Sequence, residues 1–335
     1  MKALVTGASG FLGHSIVHRL RQEQMEVRAL LRPGRVLNEP GVEVVEGDIC
    51  DDAAVDNAVR GVDWVIHAAA RVETSGTWEQ FAEVNVRGTR RVIRAAQAAG
   101  VPRIVHISSL SVYAVPYDGV TVTEESPYES EGDARGGYSR SKLAADRLAL
   151  DAARRGAPVV VLRPALLYGP GKRPSAARQS VNVGRFKLIL ARPSYLLPLA
   201  YVDNVADAVL LAARAEGAVG QAFTIVDEHV RQADYVTRYR ATSGETWRPV
   251  FLPVGLVATS ALVLERALRL ARRRSPITYH QVVRATRSAL FDCTRAERVL
   301  GWRPAVNVDE GLRRTFASLR EESNNASTPA SPTQP

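Results

Sequence analysis

The run Lys2-Ala3-Leu4-Val5-Thr6-Gly7-Ala8-Ser9-Gly10-Phe11-Leu12-Gly13 decides the fold of this chain. Residues 2–5 read as a short apolar strand. Residues 11–23 carry apolar side chains at Leu12, Ile16, Val17 and Leu20, the spacing of one helical face. Gly7 permits a tight turn between them, Gly10 lets backbone approach a ligand, and Gly13 allows the helix to pack close on the strand. The first N–H groups of a helix are unpaired and its dipole is positive at that end, so strand, glycine turn and helix together form an anion site. A dinucleotide's pyrophosphate suits it.

Working outward, strand patterns at 27–31, 42–45, 64–67, 103–107 and 158–162 alternate with helical patterns at 52–59, 78–99 and 138–155. This alternation predicts an α/β fold of Rossmann type, a doubly wound parallel sheet covered on both faces. After Gly169 the pattern changes. Residues 171–200, rich in Pro and Arg, read as loop with short elements, and 231–290 as a mixed, mostly helical segment. Residues 202–213 read as a helix capped by Asp203 or Asn204, and 223–226 as a strand returning to the sheet. The expected organisation is a nucleotide-binding domain over 1–170, rejoined by 202–213 and 223–226. A smaller, mostly helical substrate lobe takes 171–200 and 227–320. The Ser/Thr/Asn/Pro-rich tail 321–335 is expected to be disordered.

Tyr138 and Lys142, four residues apart, fall on one face of one helix. An ammonium beside a phenol favours the phenolate and lowers its pKa, which suits a general acid/base near neutral pH. Ser108 and Ser109 follow the apolar run Ile104–Ile107, and strand ends in an open parallel sheet face the ligand crevice. A hydroxyl there can bond a carbonyl and the phenol together. These groups suggest proton transfer at a carbonyl or alcohol while a nicotinamide carries the hydride. Leu31 stands where an acid would bind the ribose 2′-hydroxyl of NAD, and Arg32 and Arg35 follow it. Arginines there can pair with a 2′-phosphate, so the sequence favours NADP(H). NAD(H) stays open, because Arg32 stacked on the adenine would serve either cofactor.

Composition narrows the remaining classes. A chain of 335 residues holds one large domain or two smaller ones. Its net charge of +9 comes almost wholly from scattered arginines with no nucleic-acid-binding module, which argues against nucleic acid. Cys50 and Cys293, far apart, suggest no disulfide framework and a reducing, cytoplasmic setting. The first strand begins at Lys2, which leaves no room for a signal peptide, and no apolar run approaches the roughly 20 residues needed to span a bilayer. His14, His18, His67 and His106 show no metal-ligand spacing, so no metal site is expected. Residues 254–274 run from an apolar stretch into Arg266, Arg269 and Arg272 to Arg274. Such a segment either packs in the lobe with a solvated basic end or makes peripheral contact with an anionic membrane. Either way an apolar lid suits a hydrophobic substrate.

The motifs carry a family resemblance from residue 1 to about 320. They are the glycine run at 6–13, Gly47-Asp48-Ile49, His67-Ala68-Ala69-Ala70, Asn85-Val86-Arg87-Gly88-Thr89, Ser108 to Tyr113, Tyr138 with Lys142, Arg163 to Pro170, Tyr201 to Ala206, and Leu300 to Pro304. In this order they resemble the extended short-chain dehydrogenase/reductases, the epimerase/dehydratase and 3β-hydroxysteroid dehydrogenase group. The resemblance implies Ser109, Tyr138 and Lys142 as catalytic residues, with Ser108 the second choice for the serine. It implies cofactor contacts from Thr6, Gly7, Ser9, Gly10, Phe11, Leu12, Gly13, Arg32, Arg35, Asp48, Ile49, Ala68, Ala69, Ala70, Asn85, Tyr138, Lys142, Pro164, Leu166 and Leu167. Ser108, Ser111, Tyr113, Leu166 and Tyr168 are the expected substrate-pocket residues. The implied activity is interconversion of a ketone and a secondary alcohol on an apolar substrate of steroid, terpenoid, polyketide or acyl type. The alternative is an NAD-dependent nucleotide-sugar epimerase or dehydratase. Leu31 argues against it, as does Leu166, which stands where such relatives carry a diphosphate-binding Asn. A non-catalytic cofactor sensor is a third reading, opposed by the intact Tyr138/Lys142 pair. The resemblance also implies a homodimer through a helix bundle that includes the Tyr138 helix.

Overall fold

Ala3, Leu4, Val5 and Thr6 have no exposed surface, so β1 (Lys2–Thr6) is a strand buried on both faces. The structure, a computed structural model, describes residues 1–73, 75–130, 136–177, 180–270, 282–283 and 286–327. After β1 come α1 (Phe11–Gln22), β2 (Glu26–Leu31), β3 (Val42–Glu46), α2 (Asp52–Ala58), β4 (Trp64–His67), α3 (Trp78–Phe81), α4 (Thr89–Ala98), β5 (Arg103–Ile107), β6 (Val120–Val122), α5 (Gly137–Arg154) and β7 (Val159–Pro164). The chain continues through β8 (Leu166–Tyr168), β9 (Ser180–Val183), β10 (Phe186–Ile189), β11 (Leu196–Tyr201), α6 (Val202–Arg214), β12 (Ala222–Ile225), β13 (Glu228–Arg231), α7 (Gln232–Ser243), β14 (Arg248–Phe251), α8 (Val254–Leu270), β15 (Ala289–Phe291) and a C-terminal helix, Val308–Ser327.

The chain divides into two compact units. Met1–Leu167, Val202–Asp227 and Ser288–Ala305 form the first; Tyr168–Tyr201, Glu228–Arg287 and Val306–Pro335 form the second. The first is a seven-stranded sheet in the order β12-β7-β5-β4-β1-β2-β3, every pair parallel. α1 and α6 pack together on one face; α2, α4 and α5 cover the other. This is the doubly wound Rossmann architecture, with its topological switch point between β1 and β4. Between α3 and α4 the helix widens into a π-helical segment, Ala82–Gly88, that carries the buried Asn85.

Three boundaries differ from the sequence reading. Residues 288–305 belong to the first unit, not the lobe. β15 pairs parallel with β6, and Trp302 Nε1 donates to the Asn204 carbonyl at 2.9 Å. The lobe is less helical than the sequence suggested: β9, β10 and β14 form one small sheet, and β11 pairs with β13. These strands are short and partly exposed, with Asn182, Lys187 and Pro249 among them, so they lack an apolar alternation to read. The tail expected to be disordered from residue 321 is helical to Ser327; residues 328–335 lie outside the described residues.

In the second unit, α8 buries its small side chains Ala258 and Ala261 and leaves Leu256 (66% exposed), Val263 (63%) and Leu264 (44%) uncovered. Residues 271–274 of the segment flagged for membrane contact lie outside the described residues. Among the described residues no helix is long and apolar enough to cross a membrane.

Candidate active site

The end of β1 delivers the chain into the glycine turn. Gly7 adopts φ +74°, and a Cβ there would fall 2.7 Å from the backbone of Ala69. Gly13 is tighter: its Cβ would lie 2.0 Å from the Gly7 carbonyl oxygen, so α1 can start over the turn only with glycine at this position. Gly10 caps α1 without a side-chain acceptor, the first turn holds no acid, and Ser9 and Gly10 are exposed. The dipole end of α1 thus has no acidic side chain in its first turn and no side-chain cap. The residues therefore fit a dinucleotide pyrophosphate. Arg32 and Arg35, just past β2, are exposed, whereas Leu31 is buried. Asp48 turns inward on its own loop, its Oδ1 accepting the Cys50 N–H at 2.9 Å. The side chains of Ile49 and Leu12 are buried, and a Cβ on Gly88 would meet Ile49 Cδ1 at 2.7 Å, so these two positions have only backbone to offer a cofactor. Pro164 is buried at the end of β7, while Leu166 is half-exposed.

The catalytic candidates come from the end of β5 and the first turns of α5. Ser109 follows β5, its Oγ held by the Ser111 N–H at 3.2 Å and near enough to the Tyr138 phenol to favour its phenolate. Lys142, one turn further along α5, is buried and donates to the Ile107 carbonyl at 2.6 Å. The electrostatics reverse the sequence expectation for Tyr138. Burial raises the phenol's pKa, and the Ser109 hydroxyl only partly offsets this. The lysine's own pKa falls to about 8, because burial outweighs the nearby Asp146 carboxylate. Ser108 Oγ and Ser111 Oγ are buried and have no partner among the described residues.

Beneath these residues runs a buried polar chain that sequence reading missed. Thr89 Oγ1 donates to the Asn85 carbonyl at 2.7 Å, so it must accept at 2.9 Å from His67 Nε2; Nδ1 then accepts from Thr6 Oγ1 at 2.8 Å. The bonds fix a neutral Nε2–H tautomer, and burial, reinforced by Lys142, lowers the His67 pKa to about 3. His106 stacks on His67 at 5.4 Å and is likewise held neutral by burial. Asn85, expected to touch cofactor, has its amide engaged inside the protein. Its Oδ1 accepts from Arg71 N at 2.7 Å, and its Nδ2 donates to Arg71 O at 3.1 Å and Ser141 Oγ at 2.8 Å. Ser141 in turn donates to the Tyr138 carbonyl at 2.8 Å. Asn85 thus positions the start of α5 rather than offering a free amide.

A second hidden network clamps α5 to β7. Arg163 grips Asp146 with two hydrogen bonds, Nε to Oδ1 at 3.0 Å and Nη2 to Oδ2 at 2.7 Å, both side chains being almost wholly buried. Tyr113 and Tyr128 bond Arg163 at 2.7 Å each. Tyr113 is therefore part of this clamp and not a substrate-pocket wall; it is 1% exposed. Tyr168, also expected in the pocket, is equally buried in the core of the second unit, edge-on to Tyr201. The only local sequence hint of the clamp was Asp146, four residues beyond Lys142 on the same helix face.

Comparison with known proteins agrees with this geometry. The model of the NAD dependent epimerase/dehydratase family matches residues 3–225. The chain is 32% identical to a 2-alkyl-3-oxoalkanoate reductase of Shewanella oneidensis, over 95% of this chain and 86% of that protein. It is 28% identical to the decarboxylating sterol-4-alpha-carboxylate 3-dehydrogenase of Mus musculus, over 95% and 91%. Among solved structures, gox2253 superposes with a TM-score of 0.83 at 26% identity, covering 96% of this chain and 98% of that one. MoeE5 in complex with UDP-glucose and NAD gives 0.74 at 26% identity, covering 96% and 100%. With the glycine cradle, the Ser109–Tyr138–Lys142 arrangement and these matches, the chain belongs to the NAD dependent epimerase/dehydratase family and is an NAD(P)-dependent enzyme of the extended short-chain dehydrogenase/reductase type.

Proposed function

We propose that this enzyme interconverts a 3-oxo and a 3-hydroxy group on an apolar substrate that carries a carboxylate on the adjacent carbon, with NADP(H) as its preferred cofactor. The observation that carries the redox reading is the Tyr138 phenol, kept protonated by burial beside the Ser109 hydroxyl and one helical turn from the buried Lys142. In the reductive direction Tyr138 gives its proton to the substrate oxygen. Ser109 bonds that oxygen and steadies the developing negative charge. Lys142 keeps its cationic head beside the site, tied to the Ile107 carbonyl. A bound nicotinamide supplies the hydride.

The substrate class is supported by what two relatives are named for. A 2-alkyl-3-oxoalkanoate and a sterol-4-carboxylate oxidised at carbon 3 share one motif: a carboxylate on the carbon next to the reacting one. The NADP(H) preference is supported by exposed Arg32 and Arg35 beside a buried Leu31. Titrating NADPH and NADH into the purified protein, with cofactor fluorescence as readout, tests it. Binding of NADPH at least tenfold tighter, lost in Arg32→Gln, is expected; equal or tighter NADH overturns the preference.

The nucleotide-sugar reading keeps one supporting observation, the likeness to MoeE5 with its UDP-glucose and NAD. Leu166 opposes it, and NAD found locked in the purified protein would bring it forward. A homodimer rests on the family resemblance alone and is tested by mass in solution. A cytoplasmic setting rests on the two free cysteines, Cys50 and Cys293.

A further inference from the structure

We propose that Arg71 is the anchor for the substrate carboxylate and therefore sets the preference for acids over neutral ketones or alcohols. The inference rests on the function proposed above and names the group that would recognise its substrate class.

Arg71 lies in the loop after β4 and is held in place more firmly than a loop arginine needs to be. Both its backbone N–H and its carbonyl are bonded to the Asn85 side chain, which also bonds Ser141 on the catalytic helix. Its guanidinium lies 5.5 Å from the Phe81 ring centroid. Phe81 packs directly under Gly137, where a Cβ would fall 2.5 Å from the ring, and Gly137 immediately precedes Tyr138. Gly76, at φ +145°, lies beside both groups; a Cβ there would fall 3.2 Å from Phe81 Cε2 and 3.4 Å from Arg71 Nη2. The Phe81 ring thus ties this guanidinium to the segment that carries the acid/base.

The charge is available. Arg71 Nε is buried and has no hydrogen-bond partner among the described residues. Such a donor costs stability unless a ligand uses it. Among the described residues the guanidinium has one ion pair, to Glu73, a side chain 61% exposed; it is a weak surface pair that a bidentate ligand can outcompete. Three other cations of the first unit are already engaged. Lys142 donates to the Ile107 carbonyl, Arg163 is locked to Asp146, and Arg140 stacks 4.0 Å from the Trp78 ring. A planar, always-charged fork is the group best matched to a carboxylate.

The test compares oxidation of a 2-alkyl-3-hydroxyalkanoic acid with that of its methyl ester, with NADP and NAD, in wild type, Arg71→Gln, Arg71→Lys and Glu73→Gln. The wild type is expected to prefer the acid. Arg71→Gln is expected to lose roughly 10- to 100-fold in kcat/KM on the acid, as removal of one charged hydrogen-bonding partner does, while the ester changes less than threefold. Arg71→Lys recovers part of the loss, and Glu73→Gln keeps the acid preference. A wild type indifferent to the carboxylate, or an Arg71→Gln variant that loses acid and ester equally, overturns the inference and leaves the proposed reaction standing. A wild type inactive on both compounds sinks the proposed reaction instead. Arg71 is then judged by calorimetric titration of the same acid, with equal affinity for wild type and Arg71→Gln counting against it. Melting curves of each variant separate these outcomes from misfolding.

Discussion

Replacing Lys142 with Met should change how stability depends on pH in a way that reveals the burial of its charge. Lys142 is 4% exposed, and its pKa drops from 10.5 to about 8 in the folded protein, chiefly through burial. The folded pKa is depressed, so between about 8 and 10.5 the unfolded chain binds more protons than the native one, and stability must rise with pH across that window. Below pH 8 both states hold the proton and the penalty is complete. A drop of about 2.5 pH units corresponds to about 3 kcal/mol in all, of which about 2 kcal/mol is recovered between pH 8 and 9.5. Lys142→Met removes this term, so urea unfolding of the two proteins at pH 7, 8, 9 and 9.5 should show wild type gaining about 2 kcal/mol on the variant. The buried Trp64 and Trp302 report on the first unit. The absolute difference at pH 7 is smaller than the full penalty, because the variant leaves the Ile107 carbonyl without its 2.6 Å donor. Other titrating groups are common to both proteins and cancel. Parallel stability curves, or a wild type that loses ground as pH rises, would refute the reasoning.

Three further outcomes follow from the same geometry. Tyr138→Phe should lower kcat by about 10²- to 10⁴-fold while cofactor affinity, followed by NADPH fluorescence, stays within threefold; a loss under tenfold would remove Tyr138 as the acid. Asp146→Asn should destabilise the protein by about 3–5 kcal/mol, and the pair Asp146→Leu with Arg163→Met should recover most of it, because a buried charge without its partner is worse than none. Urea midpoints decide this, and a double variant no better than the single one counts against it. The outward Leu256, Val263 and Leu264 of α8, followed along the chain by Arg266, predict that the protein floats with anionic but not neutral vesicles and that Leu256→Asp with Val263→Asp abolishes flotation. No flotation with either lipid refutes membrane docking.

What could be read in the sequence was what is local. The glycine turn lies within thirteen residues, and Tyr138 and Lys142 are one helical turn apart, so period and turn chemistry are enough to see them. The π-helical widening at Ala82–Gly88 leaves no such period, and residues 78–99 read as one uniform helix. The polar networks under the site join residues distant in sequence. Thr6 meets His67 across 61 positions, and Asn85 meets Ser141 across 56. Finding them requires the strand order, which places His67 beside His106 and brings α4 and α5 together over that face of the sheet. Tyr113 and Tyr168 were misplaced for the same reason. A tyrosine at a strand end looks alike whether its hydroxyl lines a crevice or bonds a buried arginine.

The reversed pKa of Tyr138 has a chemical consequence of its own. A sequence shows that an ammonium is near a phenol but not how much water either has lost, and here burial decides the sign. The ammonium that was expected to pull the phenol's proton away is held by the Ile107 carbonyl, and the phenol stays protonated well above neutral pH. A protonated Tyr138 is ready to give a proton, which is what reducing a ketone asks of it; oxidising an alcohol first requires the phenol to lose one. The Ser109 hydroxyl favours the phenolate, so it eases the proton loss that alcohol oxidation requires of Tyr138. Ser109→Ala should therefore move the acid limb of the kcat profile for alcohol oxidation to higher pH. An unmoved limb, with kcat lowered evenly at every pH, would show that the serine acts on the substrate oxygen alone.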